Sequence, residues 1–103
     1  MRTKKSDAVK FLEKLAGGPL TFGRMIRAIR VGEELTQEAF AKRLGVSKAH
    51  LCDIEKGRRA VSPARAWKWG QELGYSPEQF VELSIEAALV KDGLKFKVKL
   101  EAA

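Results

Sequence analysis

Residues 36–57, Thr-Gln-Glu-Ala-Phe-Ala-Lys-Arg-Leu-Gly-Val-Ser-Lys-Ala-His-Leu-Cys-Asp-Ile-Glu-Lys-Gly, leave little freedom in how this chain can fold. They spell two short helices and a tight corner. Thr36 is placed to cap the first helix with its hydroxyl, and Leu35 with Phe40 can close as a hydrophobic staple across its start. Phe40, Ala41 and Leu44 form the apolar stripe of that helix. Gly45 follows, where the backbone needs a left-handed residue to leave the helix and a side chain would be strained. Ser47 caps the second helix, Val46 and Leu51 repeat the staple, and Leu51 and Ile54 give this helix a side to bury against the first. Its other side is left free.

Gln37 and Ala41 on the first helix, Gly45 and Val46 at the corner, and Leu51, Ile54 and Glu55 on the second resemble the helix-turn-helix of the phage-repressor-like family, the Cro/C1 or Xre type. The resemblance covers Leu20 to Leu83. It implies an all-α, five-helix domain whose second motif helix, 47–56, enters the DNA major groove while the first lies across the backbone. By position in the motif, Lys48, Ala49 and Asp53 are implied to face base edges, with His50 at the margin. Gln37, Ser47, Lys56, Arg58 and Arg59 are implied to meet phosphate or sugar. Lysine can donate to guanine O6 and N7, and aspartate can accept from cytosine N4. Well-known members often carry glutamines where this chain has Lys48 and Ala49, so their operators do not carry over. The resemblance also implies a structural ion pair between Arg30 and Glu55 that ties an earlier helix to the second motif helix.

On either side of the motif the same local signals recur. Leu20, Thr21 and Met25 give a capped and stapled start to a helix lined by Phe22, Met25, Ile26 and Ile29. Lys56-Gly57-Arg58-Arg59 closes the motif on a left-handed cap and opens a cationic loop. Ser62-Pro63 starts another helix, with proline at the first helical position where its missing N–H does no harm. Its inward stripe is Ala66, Trp69, Gly70 and Leu73, which makes Trp69 a core residue and leaves Trp67 outside. Ser76 and Gln79 form a capping box, stapled by Tyr75 and Phe80, for a fifth helix that runs to about Lys91. Phe80, Leu83 and Ala87 fall on one side of it, and Val81, Ile85, Ala88 and Leu89 on another, more apolar surface than one core is expected to use.

Asp92-Gly93 ends that helix, and Leu94 to Leu100 alternates apolar and basic residues with the period of a half-buried strand. Such a strand finds no partner in its own chain, so it is expected either to stay disordered or to borrow a strand. A homodimer follows, in which Leu94, Phe96, Val98 and Leu100 pair with their twofold mates, assisted by Val81, Ile85 and Leu89. The expected organisation is a basic arm or marginal helix over 1–19, the DNA-binding domain over 20–92 and a dimerisation tail over 93–103.

Charge supports the DNA reading without deciding it. The 103 residues carry a net charge of +7, with nine basic and five acidic groups in 20–59 but three and five in 60–92. Positive charge thus gathers on the motif. Enzyme function is not expected, since there is one histidine, no nucleophile elbow and no glycine-rich phosphate loop. His50 and Cys52 are too few soft ligands for a metal, no cofactor is called for, and a single cysteine forms no internal disulfide. With no apolar run near membrane-spanning length and no signal-like start, a soluble cytoplasmic protein is expected, with no membrane partner. The best reading is a transcriptional repressor acting by occupancy of double-stranded DNA. Small regulators of this resemblance with short extensions also include antitoxins, which implies an alternative role, neutralising a protein toxin and autorepressing the operon.

Overall fold

The computed structural model describes residues 20–103; the arm or marginal helix expected over 1–19 lies outside the described residues. Among the described residues five helices follow one another: α1 (Phe22–Gly32), α2 (Gln37–Leu44), α3 (Lys48–Glu55), α4 (Pro63–Leu73) and α5 (Pro77–Lys91). Each begins on a hydroxyl. Thr21, Thr36, Ser47, Ser62 and Ser76 all accept the backbone N–H three residues on, satisfying a donor that the first turn would otherwise leave unpaired. The serine half of the expected capping box forms, and the Ser76 hydroxyl also donates to Glu78 Oε1 at 3.3 Å.

The core sits where α1, α4 and α5 meet. Phe22 of α1 stacks on Trp69 of α4 at 6.5 Å between ring centres and meets Phe80 of α5 edge-on at 6.0 Å. Around these rings lie Met25, Ile26, Ile29, Phe40, Leu51 and Ile54, so both motif helices bury their apolar side in the same cluster. Trp67 is exposed and Trp69 is buried, as their positions in the sequence require. Among the described residues no helix is long and apolar enough to cross a membrane.

Two expectations need correction. The core does use part of both apolar sides of α5, since Val81 is buried beside Phe80 and Leu83, and Ile85 packs against the cluster. Ser84 is buried between them without penalty because its hydroxyl donates to the Val81 carbonyl at 2.8 Å. Val81 is therefore not available as a dimerisation residue.

The tail is the second correction. Residues 94–100 belong to no helix or strand ladder among the described residues, and the spacing of their bonds to α5 is that of extended backbone. The expectation that this segment finds no partner in its own chain does not hold, because two of its amides are satisfied by α5. Leu94 N–H closes on the Leu89 carbonyl at 2.9 Å, and the chain then runs back antiparallel to α5. Val98 N–H donates to Glu86 Oε2 at 2.8 Å and Leu100 N–H to Glu82 Oε2 at 2.9 Å. The spacings match: two extended residues advance about 6.7 Å and four helical residues about 6.0 Å, so carboxylates one turn apart can serve alternate amides.

Candidate DNA-binding site

The corner between α2 and α3 is built as its residues demand. Gly45 adopts φ 78°, its N–H returns to the Ala41 and Lys42 carbonyls, and Val46 N–H reaches the Ala41 carbonyl at 3.0 Å. This wraps the end of α2 and aims the chain into the Ser47 cap of α3. Leu51, Ile54 and Glu55 then face inward, Lys48 and Ala49 are exposed, and His50, Cys52 and Asp53 lie half-buried at the edges. The side expected to meet base edges is open to solvent.

Behind it, α3 is held by charge. Arg30 near the end of α1 grips Glu55 with two bonds, Nε to Oε2 at 2.7 Å and Nη2 to Oε1 at 3.1 Å, and sends Nη1 to the Leu35 carbonyl at 3.1 Å. The expected Arg30–Glu55 pair is present. A third donor was not foreseen: Gln37 Nε2 reaches Glu55 Oε1 at 3.0 Å. The amide assigned to phosphate is thus partly committed to the interior, with one N–H and its oxygen left over. Gly23 makes the close approach possible. A side chain there would collide with the Ile54 carbonyl and sit 2.9 Å from that of Glu55, a constraint with no local signal in the sequence.

The loop after α3 winds back on Asp53. Gly57 takes φ 76°, and the Arg58 and Arg59 N–H groups both point to the Asp53 carbonyl, at 2.8 and 3.3 Å. Asp53 Oδ1 also accepts from the Arg58 guanidinium, at 3.1 Å from Nε and 3.0 Å from Nη2. A residue expected at bases and one expected at phosphate therefore hold each other in the free protein. Lys91 at the end of α5 donates to the Arg58 carbonyl at 2.7 Å and fixes the loop from behind, a role nothing local announced. Partial burial, and then the guanidiniums of Arg59 and Arg65, hold the His50 pKa below its ordinary value, with Asp53 opposing them. His50 is thus neutral at pH 7 beside two cations. Arg65 joins this surface from the first turn of α4, a neighbour that only the fold reveals. Ser47 spends one acceptor on its cap and keeps its O–H to donate.

Lys48, Ala49, His50, Asp53, Arg58 and Arg59 are accordingly brought onto α3 and its following loop, with Gln37 and Ser47 at the helix starts and Lys56 at the C-cap. No group of three or more metal-binding side chains converges among the described residues. Fold and site together define a helix-turn-helix module presenting a polar, cation-flanked helix.

The helix-turn-helix family model matches residues 26–80, from the middle of α1 to the first turn of α5. Over 43 residues the chain is 51% identical to the uncharacterized HTH-type transcriptional regulator YazB of Bacillus subtilis (strain 168), which covers 42% of this chain and 62% of YazB, under two thirds of that relative. Over 66 residues it is 30% identical to the control protein C.BamHI of Bacillus amyloliquefaciens, covering 63% of this chain and 82% of C.BamHI. No solved structure matches. This protein belongs to the helix-turn-helix family of DNA-binding transcription regulators, of the Cro/C1 (Xre) type.

Proposed function

We propose that this protein represses transcription by occupying an operator, with α3 in the major groove. Lys48, Ala49 and Asp53 read base edges with His50 at the margin, while Gln37, Ser47, Lys56, Arg58 and Arg59 contact phosphate or sugar. The observation that carries the reading is the two-sidedness of α3, locked behind by Arg30 and Gln37 on Glu55 and open in front at Lys48 and Ala49. Selection of bound duplex from a random pool, repeated with Lys48→Ala, tests it. Enrichment of one site whose preference shifts in the variant is the expected result. No enrichment, or identical sites from both proteins, overturns it.

Dimerisation is the second part of the proposal. Two copies about a twofold axis would present two α3 helices to half-sites about one DNA turn, or roughly 34 Å, apart. With Val81 in the core, we assign the contact to Leu89, Val90 and Leu94 at the outer end of α5, where Val90 is 53% and Leu94 45% exposed. Leu89→Glu with Val90→Glu should convert a dimer seen by ultracentrifugation into a monomer. Toxin neutralisation, the other role the extension suggests, has no carrier beyond the extension itself, and the operator reading is the one adopted.

A further inference from the structure

The tail offers a row of backbone groups that the domain does not use. In extended chain, successive N–H groups point to opposite edges. Val98 and Leu100 give theirs to Glu86 and Glu82 on α5, so the N–H and C=O groups of Lys95, Lys97 and Lys99 lie on the outer edge. Among the described residues nothing accepts from those three N–H groups. An extended chain also alternates its side chains, which sets the three lysines on the face opposite Phe96, Val98 and Leu100; Phe96 is 64% exposed.

A second copy of the tail fits this edge badly. Antiparallel pairing through the outer edge sets odd-numbered residues directly opposite odd-numbered residues. Every twofold register centred on residues 95 to 99 then places at least one lysine against another, and like charges directly opposite are destabilising. Only a register centred on Leu100 escapes, by pairing Lys99 with Glu101, and it leaves Lys95 and Phe96 without partners. Lysines on an edge are also a means of discouraging indiscriminate strand addition. The same charges become attractive to a strand that carries carboxylates at alternate positions.

We propose that the outer edge of residues 95–99 is a docking site for an extended segment of another protein in which acidic and apolar residues alternate. The backbone of that segment completes the ladder on Lys95, Lys97 and Lys99, its carboxylates lie opposite the three ammonium groups, and its apolar residues cover Phe96, Val98 and Leu100. Duplex DNA is the rival partner for the lysines, since the tail follows a helix whose Lys91 holds the Arg58 loop. A phosphate backbone, however, would use neither the open amide row nor the apolar face behind it. The proposal is independent of operator binding and is read without DNA.

The test uses the full chain and two fluorescein-labelled octapeptides of equal composition, one alternating valine and glutamate and one with the four glutamates in a block. Fluorescence anisotropy should show the alternating peptide bound about tenfold more tightly, the yield of three cross-strand charge pairs. Lys97→Pro removes one outer-edge donor while leaving the amides held by Glu82 and Glu86, and should weaken binding about fivefold. Lys97→Glu should abolish the preference for the alternating peptide. Affinity of both variants for a DNA duplex should equal that of the parent. Equal binding of the two peptides, no binding of either, or indifference to Lys97→Pro overturns the proposal. So does a loss of DNA affinity in Lys97→Glu comparable to that of Arg58→Ala, which would put the lysines on phosphate. A dimer dissolved by Lys97→Pro would assign the edge to a second copy and overturn it equally.

Discussion

Arg30→Ala probes the joint on which the orientation of α3 depends. The Glu55 side chain is 3% exposed and that of Arg30 15%, so the carboxylate has almost no water to fall back on. Of the three side-chain bonds it accepts, two come from Arg30 and one from Gln37. Removing the guanidinium leaves a buried charge with a single amide donor and also frees the Leu35 carbonyl that positions the α1–α2 loop. Stranding one member of a buried pair costs about 3–5 kcal/mol. That is a large part of the about 5–15 kcal/mol that stabilises a domain. With a urea slope of about 1–1.5 kcal/mol/M, the unfolding midpoint followed by tryptophan emission should fall by about 2–5 M. Replacing both partners by apolar residues, Arg30→Met with Glu55→Leu, should recover most of the loss, because the penalty belongs to the unpaired charge and not to the missing attraction. An Arg30→Ala cost under about 1 kcal/mol, or strict additivity in an Arg30 and Glu55 double-mutant cycle, would refute the reasoning.

Arg59→Ala should weaken binding to selected and random duplex alike and lower the salt slope by about one, whereas Lys48→Ala should cost about 1–3 kcal/mol chiefly on the selected site, both measured by titration at several salt concentrations. Asp53→Asn frees Arg58 and removes a negative charge from the DNA side, so random duplex should bind more tightly while discrimination falls. Gly23→Ala should lower stability by about 1–3 kcal/mol in thermal melts, since the new methyl meets backbone and not a movable side chain; an unchanged melt would mean α1 is not seated on α3 as described. With the His50 pKa lowered on folding from 6.5, the unfolded chain binds more protons between the folded value and 6.5. The His50 contribution is therefore intact above pH 6.5 and is lost as pH falls through the folded value, and His50→Gln should flatten that part of the stability profile.

The parts of this fold that were legible in the sequence are those whose cause is local. A hydroxyl before a helix, Gly45 at a left-handed corner and Pro63 at a first helical position act within a few residues, and all of them stand where their neighbours require. Arg30 and Glu55, 25 positions apart, were legible only through the motif they share. Gly23 was not, because its reason is the carbonyl of Ile54 on another helix. Periodicity placed Val81 on a stripe but could not say how wide a surface α1 and α4 would cover, and that width brought it and Ser84 inside. The alternation of 94–100 implied a segment with no partner in its own chain, whereas two of its amides are held by carboxylates one helical turn apart, a pairing no strand rule contains.

The surface chemistry was the least legible because charged side chains satisfy one another when DNA is absent. Asp53 and Arg58 are 34% and 59% exposed, and such a pair contributes about 0–1 kcal/mol, so it constrains the loop without committing it. On the docking proposed here, phosphate competes with Asp53 for Arg58, and the two contacts cannot be gained independently. Where a cytosine N4 faces Asp53, the carboxylate exchanges one donor for another and Arg58 moves to phosphate without loss. Where another base is there, releasing Arg58 leaves a carboxylate unpaired beside the DNA backbone. Discrimination at that position then comes from a penalty on wrong sites more than from a gain on right ones, and it grows as the loop is held more firmly by Lys91. Lys91→Ala should accordingly leave affinity for the selected site nearly unchanged while narrowing its margin over sites substituted opposite Asp53; an equal loss on all sites would mean that Lys91 supports the loop and takes no part in selection.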